Sequence, residues 1–165
     1  MRAPSPRDAA AVWRLVRDSG VLDLNSPYAY LLLCSDFAQT SIVAEAAGHL
    51  LGFVGAYRRP LRPESVFVWQ IVTAREAQRR GLASHLLEAL LAQRACGGVR
   101  FLEATVTPSN HPSRAFFERF ARRLGAPFEE ETAFPAELFP GADHEDEIRV
   151  RIGPLFVPPL ASEET

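Results

Sequence analysis

Lysine is absent from this 165-residue sequence, and all 18 of its basic residues are arginine. We attribute this to the codon usage of a GC-rich genome rather than to function. The 20 acidic residues bring the net charge to −2 at pH 7, and the missing basic excess argues against a nucleic-acid-binding protein. Cysteine is also scarce, since Cys34 and Cys96 stand far apart and outside CxxC spacing. We therefore expect both to be buried apolar side chains rather than nucleophiles or metal ligands.

Long apolar runs are missing as well. No stretch reaches the roughly 20 residues that a membrane-spanning helix needs, and the first residues lack the apolar segment of a signal peptide. We therefore expect a cytoplasmic protein with neither membrane nor nucleic-acid partners. A chain of 165 residues suffices for one ordinary domain with a sizeable core. We assign that domain to residues 1–157 and a frayed tail to residues 158–165.

Apolar periodicity and turn residues predict an alternation of helices and strands. A first helix begins at Ser5-Pro6-Arg7-Asp8, carries the apolar stripe Ala11, Val12, Leu15 and Val16, and ends at Gly20. The other predicted elements are a helix over 28–36, strands over 41–46, 50–58 and 65–73, a helix over 81–96 stopped by Gly97-Gly98, a strand over 99–107, a helix over 113–124, and strands over 128–134 and 147–152. Residues 60–64 are predicted as a loop, and the strand over 65–73 is expected to be covered on both faces. This order is typical of a mixed α/β domain.

The most specific short motif is Gln78-Arg79-Arg80-Gly81-Leu82-Ala83, which comes after the strand over 65–73 and opens a helix. A helix N-terminus presents unpaired N–H groups and a partial positive charge, so it binds anions such as a pyrophosphate. Glycine at position 81 lets the backbone approach a phosphate without a Cβ. On these six residues alone, an ordinary turn with solvated arginines is an equal interpretation.

The spacing Q-x-x-G-x-A after an apolar strand resembles the acetyl-CoA signature of the GNAT superfamily. The next segments of the chain are similar too: a strand over 101–106, then Asn110, then a helix bearing Ser113 and Phe116. The resemblance implies the acyl-CoA N-acyltransferase fold, whose central, mostly antiparallel sheet has splayed central strands and is flanked by helices. It also implies acetyl-CoA as co-substrate, bound by Ile71, Val72, Thr73, Gln78, Arg79, Arg80, Gly81, Leu82, Ala83, Ser84, Asn110 and Phe117.

Phe117 departs from that pattern. Many GNAT enzymes carry a tyrosine near the start of this helix, which protonates the leaving thiolate, whereas phenylalanine has no proton to donate. Either another group serves here or the thiolate leaves without help.

Five separated stretches resemble one family within the superfamily, the L-2,4-diaminobutyrate acetyltransferases of ectoine biosynthesis. They are LDLNSPY at 22–28, FVWQ at 67–70, TVTPSN at 105–110, HEDE at 144–147 and RIGP at 151–154. The similarity spans residues 3–155 in the expected order. It implies a cytoplasmic homodimer that acetylates the γ-amino group of diaminobutyrate, a step in making a compatible solute under osmotic stress.

The same resemblance assigns substrate binding to Asp23, Asn25, Trp69, His144 and Glu147. These residue types suit a small amino acid with two ammonium groups, because carboxylates and an aromatic face both attract cations. Each assignment has a structural alternative: Asp23 as a turn cap, Trp69 as a core side chain, and the segment 143–147 as a solvated acidic loop. The roles of Glu145 and Asp146 stay undecided.

His144 and Glu147 are the candidate general bases. An alkylammonium with a pKa near ~10 must lose a proton before its nitrogen attacks a thioester. We expect direct attack, with a backbone N–H between Ile71 and Thr73 holding the oxyanion. H-E-D-E is not the H-E-x-x-H zinc pattern, so no metal is expected. The second acidic run, at 129–131, is interpreted as a solvated edge strand.

Two other functions remain open at this level. One is a GNAT enzyme that acetylates a different amine, such as another diamino acid, an aminoglycoside or a protein N-terminus. The other is an acetyl-CoA-binding module without turnover. Phe117 favours the second alternative, and the polar motifs outside the CoA loop argue against it, because a bare CoA binder needs no acceptor pocket.

Overall fold

A computed structural model describes residues 1–20, 22–141 and 143–155. The helices are α1 (Ala9–Ser19), α2 (Pro27–Cys34), α3 (Leu82–Leu91) and α4 (His111–Leu124). The strands are β1 (Ser41–Ala46), β2 (His49–Arg59), β3 (Arg62–Thr73), β4 (Phe101–Val106), β5 (Phe128–Phe134) and β6 (Glu147–Ile152). The predicted order of elements is confirmed. The predicted domain end at 157 and the tail at 158–165 lie outside the described residues.

The six strands form one sheet in the order β1-β2-β3-β4-β6-β5. β1 runs antiparallel to β2, β6 runs antiparallel to both β4 and β5, and β3 is parallel to β4. The parallel ladder joins residues 65–67 to residues 101–103. α3 packs against β1, and α4 packs against β6. The mixed α/β class that the sequence predicts is confirmed.

The chain divides into two compact units. The first comprises residues 1–58 and 68–97, and the second comprises residues 59–67 and the segment from residue 98 onward. β3 contributes its first half to the second unit and its second half to the first. Within the described ranges, no helix is long and apolar enough to cross a membrane.

The first unit is built on apolar packing between helices and strands. Val12 and Val16 of α1 are fully buried, as the predicted stripe requires, and they share a core with Tyr30 of α2 and Phe53 of β2. Each large apolar side chain buried in this way contributes roughly 1.5–3 kcal/mol. Gly20 adopts a left-handed conformation (φ 66°) and ends α1, as predicted.

The helix predicted over 81–96 is shorter than expected. α3 ends at Leu91, and a separate 3₁₀ turn comes next at Arg94–Cys96, so the predicted stop at Gly97-Gly98 is wrong. Gln93 leaves the helical conformation (φ −64°, ψ 140°), and the 3₁₀ turn buries Cys96 to 1% exposure. No helix-breaking residue marks this point, because tertiary burial here overrides local propensity.

Three further expectations about the strands and helices need correction. β3 begins at Arg62, inside the predicted loop, and its cover on both faces is wrong because Trp69 is 46% exposed. α4 begins at His111 rather than Ser113. Its true start results from Asn110, whose side-chain oxygen accepts a hydrogen bond from the Ser113 N–H (3.2 Å) and so caps the first turn.

A buried carboxylate on β4 contacts side chains of three other strands, β2, β3 and β6, and no sequence pattern predicted it. Glu103 on β4 is 0% exposed. It forms an ion pair with Arg59, accepts a hydrogen bond from the Ser65 hydroxyl (3.1 Å), and lies 3.5 Å from Arg151 Nε and 3.7 Å from Arg149 Nε. Taking a carboxylate out of water is tolerated only when such partners compensate its charge.

The acidic run at 129–131 lies on β5, the last strand in the sheet order, and its three side chains are exposed. Two of them form ion pairs: Glu130 with Arg114 (2.6 Å) and Glu131 with Arg149 (2.7 Å). The predicted solvated edge strand is therefore confirmed.

Candidate active site

The turn between β3 and α3 is shaped by two residues with positive φ. After Thr73 a short 3₁₀ turn (Arg75–Ala77) leads to Arg79 (φ 60°) and Gly81 (φ 78°). Gly81 is demanded by this backbone conformation and not by crowding, since a Cβ there would meet nothing nearer than His85 Cε1 at 3.7 Å. Arg79 adopts the same region at a cost in strain, as residues at binding sites often do.

This turn concentrates hydrogen-bond donors and positive charge. The His85 N–H bonds the Gly81 carbonyl (3.1 Å), so the three N–H groups before it, at residues 82–84, have no acceptor inside α3. Arg79 and Arg80 are exposed, and neither forms an ion pair with a described residue. Unpaired N–H groups at a positive helix end are what a pyrophosphate requires. The chemistry expected of Gln78 to Ser84 is present, and their individual contacts stay predictions.

The end of β3 is placed to offer backbone groups. The parallel ladder to β4 involves residues 65–67 of β3, which leaves the backbone of Ile71, Val72 and Thr73 outside it. Val72 is buried, while Ile71 and Thr73 are half-buried on the opposite face. The backbone groups of these three residues, which are predicted to bind acetyl-CoA, are therefore not used by that ladder.

A chain of buried hydrogen bonds holds the loop with Asp23 and Asn25 to β3. This is the loop that the resemblance assigns to substrate binding. Gln70 is 6% exposed; its Nε2 donates to the Asp23 carbonyl (2.7 Å), and its Oε1 accepts from the Tyr30 hydroxyl (3.0 Å). The Tyr30 oxygen accepts in turn from the Asn25 N–H (3.4 Å). Buried polar groups with satisfied partners fix a loop in one conformation. The sequence reasoning missed the roles of Tyr30 and Gln70, although a glutamine within an apolar strand was a usable signal.

In the described structure, the Asp23 carboxylate does not cap a turn and the Trp69 ring does not lie in a core. Asp23 is anchored by its backbone, its carboxylate has no hydrogen bond or ion pair within the described part of the chain, and Ser26 rather than Asp23 caps α2. Trp69 lies next to Gln70 and faces the other side of the sheet, where 46% of it is exposed. The turn-cap and core alternatives for these two residues are therefore wrong.

In the second unit, the His144 ring is held by two contacts, and one of its nitrogens has no partner in the described part of the chain. The ring stacks on Phe139, with centroids 3.7 Å apart and planes 3° from parallel. Its Nδ1 lies 2.6 Å from the Glu145 carbonyl oxygen. Because a carbonyl only accepts hydrogen bonds, Nδ1 carries the proton, and Nε2 of the neutral ring keeps its lone pair. In its neutral form, a ring held in this way presents Nε2 as a histidine base requires.

Glu147 begins β6 and is half-buried, and its carboxylate has no hydrogen-bond or ion-pair partner among residues 1–20, 22–141 and 143–155. The two acidic residues before it serve the structure instead. Asp146 accepts a hydrogen bond from the Ala136 N–H (2.8 Å), and Glu145 binds Ser109. Within the predicted acidic loop 143–147, Asp143 is exposed and residues 144–147 are half-buried, so a solvated loop describes Asp143 and not the four residues after it.

The two predicted cofactor residues of the second unit differ in exposure. Asn110 is half-buried and caps α4 with its side-chain oxygen, which leaves its amide N–H₂ without a partner in the described structure. Phe117 is 3% exposed and packs against Phe116, with centroids 5.2 Å apart. Phe117 thus belongs to the core of this unit, and its contact with the cofactor stays a prediction.

The predicted residues form two groups, one in each unit. In the first unit, the loop with Asp23 and Asn25 is tied to β3 beside Trp69, and β3 leads into the Gln78 to Ser84 turn. In the second, the segment 144–147 is tied to the turn that precedes Asn110. The union of both groups in a single site stays a prediction.

Two other features of the molecule do not belong to the predicted chemistry. Burial raises the pKa of the Cys34 and Cys96 thiols to about 11, so neither is a thiolate at neutral pH, in agreement with the expectation that they are not nucleophiles. A cavity of about 900 Å³ in the first unit has a lining of mixed charge and includes Thr73 alone of the predicted site residues. In the described ranges, no group of three histidine, cysteine or acidic side chains could hold a metal ion.

A family model described as the acetyltransferase (GNAT) family matches residues 10–121. The chain belongs to this family. The match includes the turn from Gln78 to Ala83 and the cap at Asn110, so the signature predicted from the sequence is confirmed. This GNAT protein is accordingly an N-acetyltransferase.

Two curated relatives of this GNAT chain have the same name. An L-2,4-diaminobutyric acid acetyltransferase from Halalkalibacterium halodurans is 45% identical over 152 residues, which are 92% of this chain and 80% of the relative. Another from Streptomyces avermitilis is 46% identical over 154 residues, with coverage of 92% and 86%.

The GNAT fold is confirmed by solved structures. The diaminobutyrate acetyltransferase EctA from Paenibacillus lautus, in complex with L-2,4-diaminobutyric acid and coenzyme A, is 46% identical, with a TM-score of 0.89 and 95% of both chains covered. Ard1 from Thermoplasma volcanium is 18% identical with a TM-score of 0.72, covering 92% and 95% of the two chains. The second comparison shows a shared fold alone.

Proposed function

We propose that the protein transfers the acetyl group of acetyl-CoA to the γ-amino group of L-2,4-diaminobutyrate and releases CoA. The observation that carries the proposal is the similarity to the enzyme from Paenibacillus lautus bound to that amino acid and to coenzyme A, at 46% identity and a TM-score of 0.89. This identity over 95% of both chains supports the same substrate chemistry for the two proteins.

The free side chains suit the charges of this substrate. Diaminobutyrate carries two ammonium groups at neutral pH, and Asp23 and Glu147 each supply a carboxylate that has no partner among the described residues. The exposed face of Trp69 adds a surface for a cation–π contact. In this proposal Asp23, Asn25, Trp69, His144 and Glu147 bind the amino acid.

The γ-ammonium must give up a proton before it reacts. Nε2 of His144 and the Glu147 carboxylate are the acceptors that the second unit offers, directly or through one water. The γ-nitrogen then attacks the thioester carbon, and a backbone N–H between Ile71 and Thr73 stabilises the oxyanion. The C–S bond breaks as the amide forms, and the nitrogen gives up its second proton to the base or to water. No covalent intermediate with the protein is involved.

The leaving thiolate has no tyrosine to protonate it at the position of Phe117. An alkyl thiol with a pKa near ~8.5 is a stable enough anion to depart close to neutral pH. We infer that CoA leaves as the thiolate and takes its proton from water or from the protonated base.

An amine panel tests this function by the rate of free thiol release. We expect the highest kcat/KM for L-2,4-diaminobutyrate, with losses of roughly 10–200-fold for the analogues one methylene shorter or longer. 2-Aminobutyrate, which lacks the γ-amine, should give no turnover. Preference for an aminoglycoside or a peptide N-terminus would refute the substrate assignment. Calorimetric CoA binding without turnover of any amine would identify a non-catalytic module.

Asp23→Ala should weaken binding of the amino acid and spare the fold. Asp23 anchors its loop through the backbone carbonyl, so the substitution removes only the carboxylate. The loss of one charge-assisted contact, worth about 1.5–3 kcal/mol, predicts a rise of roughly 10–100-fold in KM for diaminobutyrate. Steady-state kinetics measures the KM for diaminobutyrate, and calorimetry measures the affinity for acetyl-CoA.

The matched control for that variant is Asp36→Ala, since Asp36 is an exposed carboxylate of the same unit, just after α2. It should leave both constants unchanged. An Asp23→Ala enzyme with wild-type KM for diaminobutyrate would remove Asp23 from the binding site.

The resemblance also supports a homodimer in the cytoplasm that serves ectoine synthesis under osmotic stress. Light scattering on the purified protein tests the assembly, with an expected mass of twice the 18.2 kDa of one chain. A monomer at micromolar concentration would contradict it.

A further inference from the structure

Glu145 makes a two-point contact with Ser109 in the second unit. One carboxylate oxygen accepts from the Ser109 backbone N–H (3.0 Å), and the other accepts from the Ser109 hydroxyl. Both hydrogen bonds are charge-assisted, which makes them roughly twice as strong as neutral ones. Two parallel bonds also fix the orientation of the carboxylate and not only its distance.

The contact joins two segments that the proposed chemistry needs. Ser109 lies in the turn directly before Asn110, which caps α4 with its side-chain oxygen. Glu145 lies directly after His144 and two positions before Glu147, and its own carbonyl accepts the Nδ1 proton of His144. The two segments are 36 positions apart in sequence, and this side chain is a direct link between them.

The loop that leads to Glu145 is secured at other points as well. Asp146 binds the Ala136 N–H (2.8 Å), and His144 stacks on Phe139. These contacts lie within residues 136–146, so they keep the loop in shape without attaching it to the Asn110 turn. The β4–β6 ladder pairs Val106 with Ile148 and so attaches the start of β6 to β4, and Glu145 attaches the preceding segment to the turn itself at Ser109.

We propose that Glu145 is a positioning residue for acetyl transfer. Through its contact with Ser109, it fixes the position of His144 and Glu147 relative to the Asn110 turn. The inference rests on the proposed function, because it assumes that His144 and Glu147 act on the amine. A displacement of about 1 Å can cost on the order of 100-fold in rate, so a contact distant from the reacting atoms has a measurable effect.

The test compares four variants of the full chain with wild type in acetyl-CoA-dependent turnover. Glu145→Ala should lower kcat roughly 10–100-fold, with the KM for acetyl-CoA changed less than about twofold and the melting temperature within a few degrees. Glu145→Gln keeps an oxygen for the Ser109 N–H and should recover most of the rate, whereas Glu145→Asp is one methylene too short and should not. Glu137→Ala removes an exposed carboxylate of the same loop and should match wild type.

Non-additivity is the sharpest readout. Ser109→Ala alone should cost a few-fold, and it should cost nothing further in the Glu145→Ala background. A Glu145→Ala enzyme with wild-type kcat, a loss equal to that of Glu137→Ala, or fully additive losses would each overturn the proposal. If wild type acetylates another amine instead of diaminobutyrate, the proposed substrate fails, and the variants are compared on that amine. No turnover with any amine would overturn both.

Discussion

Glu147→Gln should lower kcat for diaminobutyrate acetylation by roughly 100–10,000-fold, the range of general acid–base catalysis. The substitution keeps the size of the side chain, and the Glu147 carboxylate has no structural partner in the described part of the chain. Folding should therefore be unaffected, and the melting temperature serves as the check. Glu129→Gln, which neutralises an exposed carboxylate on β5, is the matched control and should retain full activity.

The pH profile separates loss of the base from loss of binding. Without a base, the variant depends on the fraction of substrate already present as free amine. Its kcat/KM should therefore rise about tenfold per pH unit toward the alkylammonium pKa near ~10. A Glu147→Gln enzyme with the wild-type profile would exclude Glu147 as the base and transfer that role to Nε2 of His144.

Glu103→Ala should destabilise the protein by about 3–5 kcal/mol, the cost of removing one partner from a buried ionic cluster. Glu103 is 0% exposed, and the substitution would leave Arg59, Arg149 and Arg151 facing one another without their shared carboxylate. Urea unfolding followed by fluorescence measures the free energy of unfolding. Glu129→Ala, on the exposed edge of the same unit, should change it by less than about 0.5 kcal/mol.

The cluster also makes a prediction about coupling. Because Glu103 and Arg59 contact each other directly, their losses in unfolding free energy should be non-additive in a double-mutant cycle. A Glu103→Ala protein within about 1 kcal/mol of wild type would contradict the role of the cluster in stability.

The fold was largely predictable because its signals are local. The apolar stripe of α1, the turn at Gly20 and the Gln78 to Ala83 motif each lie within one short segment of the sequence. Periodicity and turn chemistry report on such segments directly. The end of α3 was not predictable in this way, because the chain leaves the helix to bury Cys96 rather than at a helix breaker.

The buried polar contacts could not be predicted from the sequence, for a different reason. The cluster around Glu103 and the chain from Tyr30 through Gln70 to Asp23 join residues that are 38 to 48 positions apart. No single sequence window contains such partners, so each residue looks like an isolated polar side chain. Glu145 was undecided for the same reason, since its partner Ser109 lies 36 positions away.

The sequence predicted which residues belong to the candidate site, and it did not predict the contacts that hold them in place. In the structure Asp23 does not cap a turn, Trp69 does not lie in a core, and Nε2 of His144 has no partner among the described residues. It also shows that Phe117 lies in a core. What these residues bind depends on the amine, which sequence spacing alone does not define.

The central claim is acetylation of one particular nitrogen of one amino acid. Incubation of the purified protein with acetyl-CoA and L-2,4-diaminobutyrate, followed by mass spectrometry and two-dimensional NMR of the product, tests it most directly. We predict a single monoacetylated product in which the acetyl carbonyl correlates with the γ-methylene protons. Correlation with the α-proton, or unchanged diaminobutyrate beside an intact acetyl-CoA pool, would contradict the account.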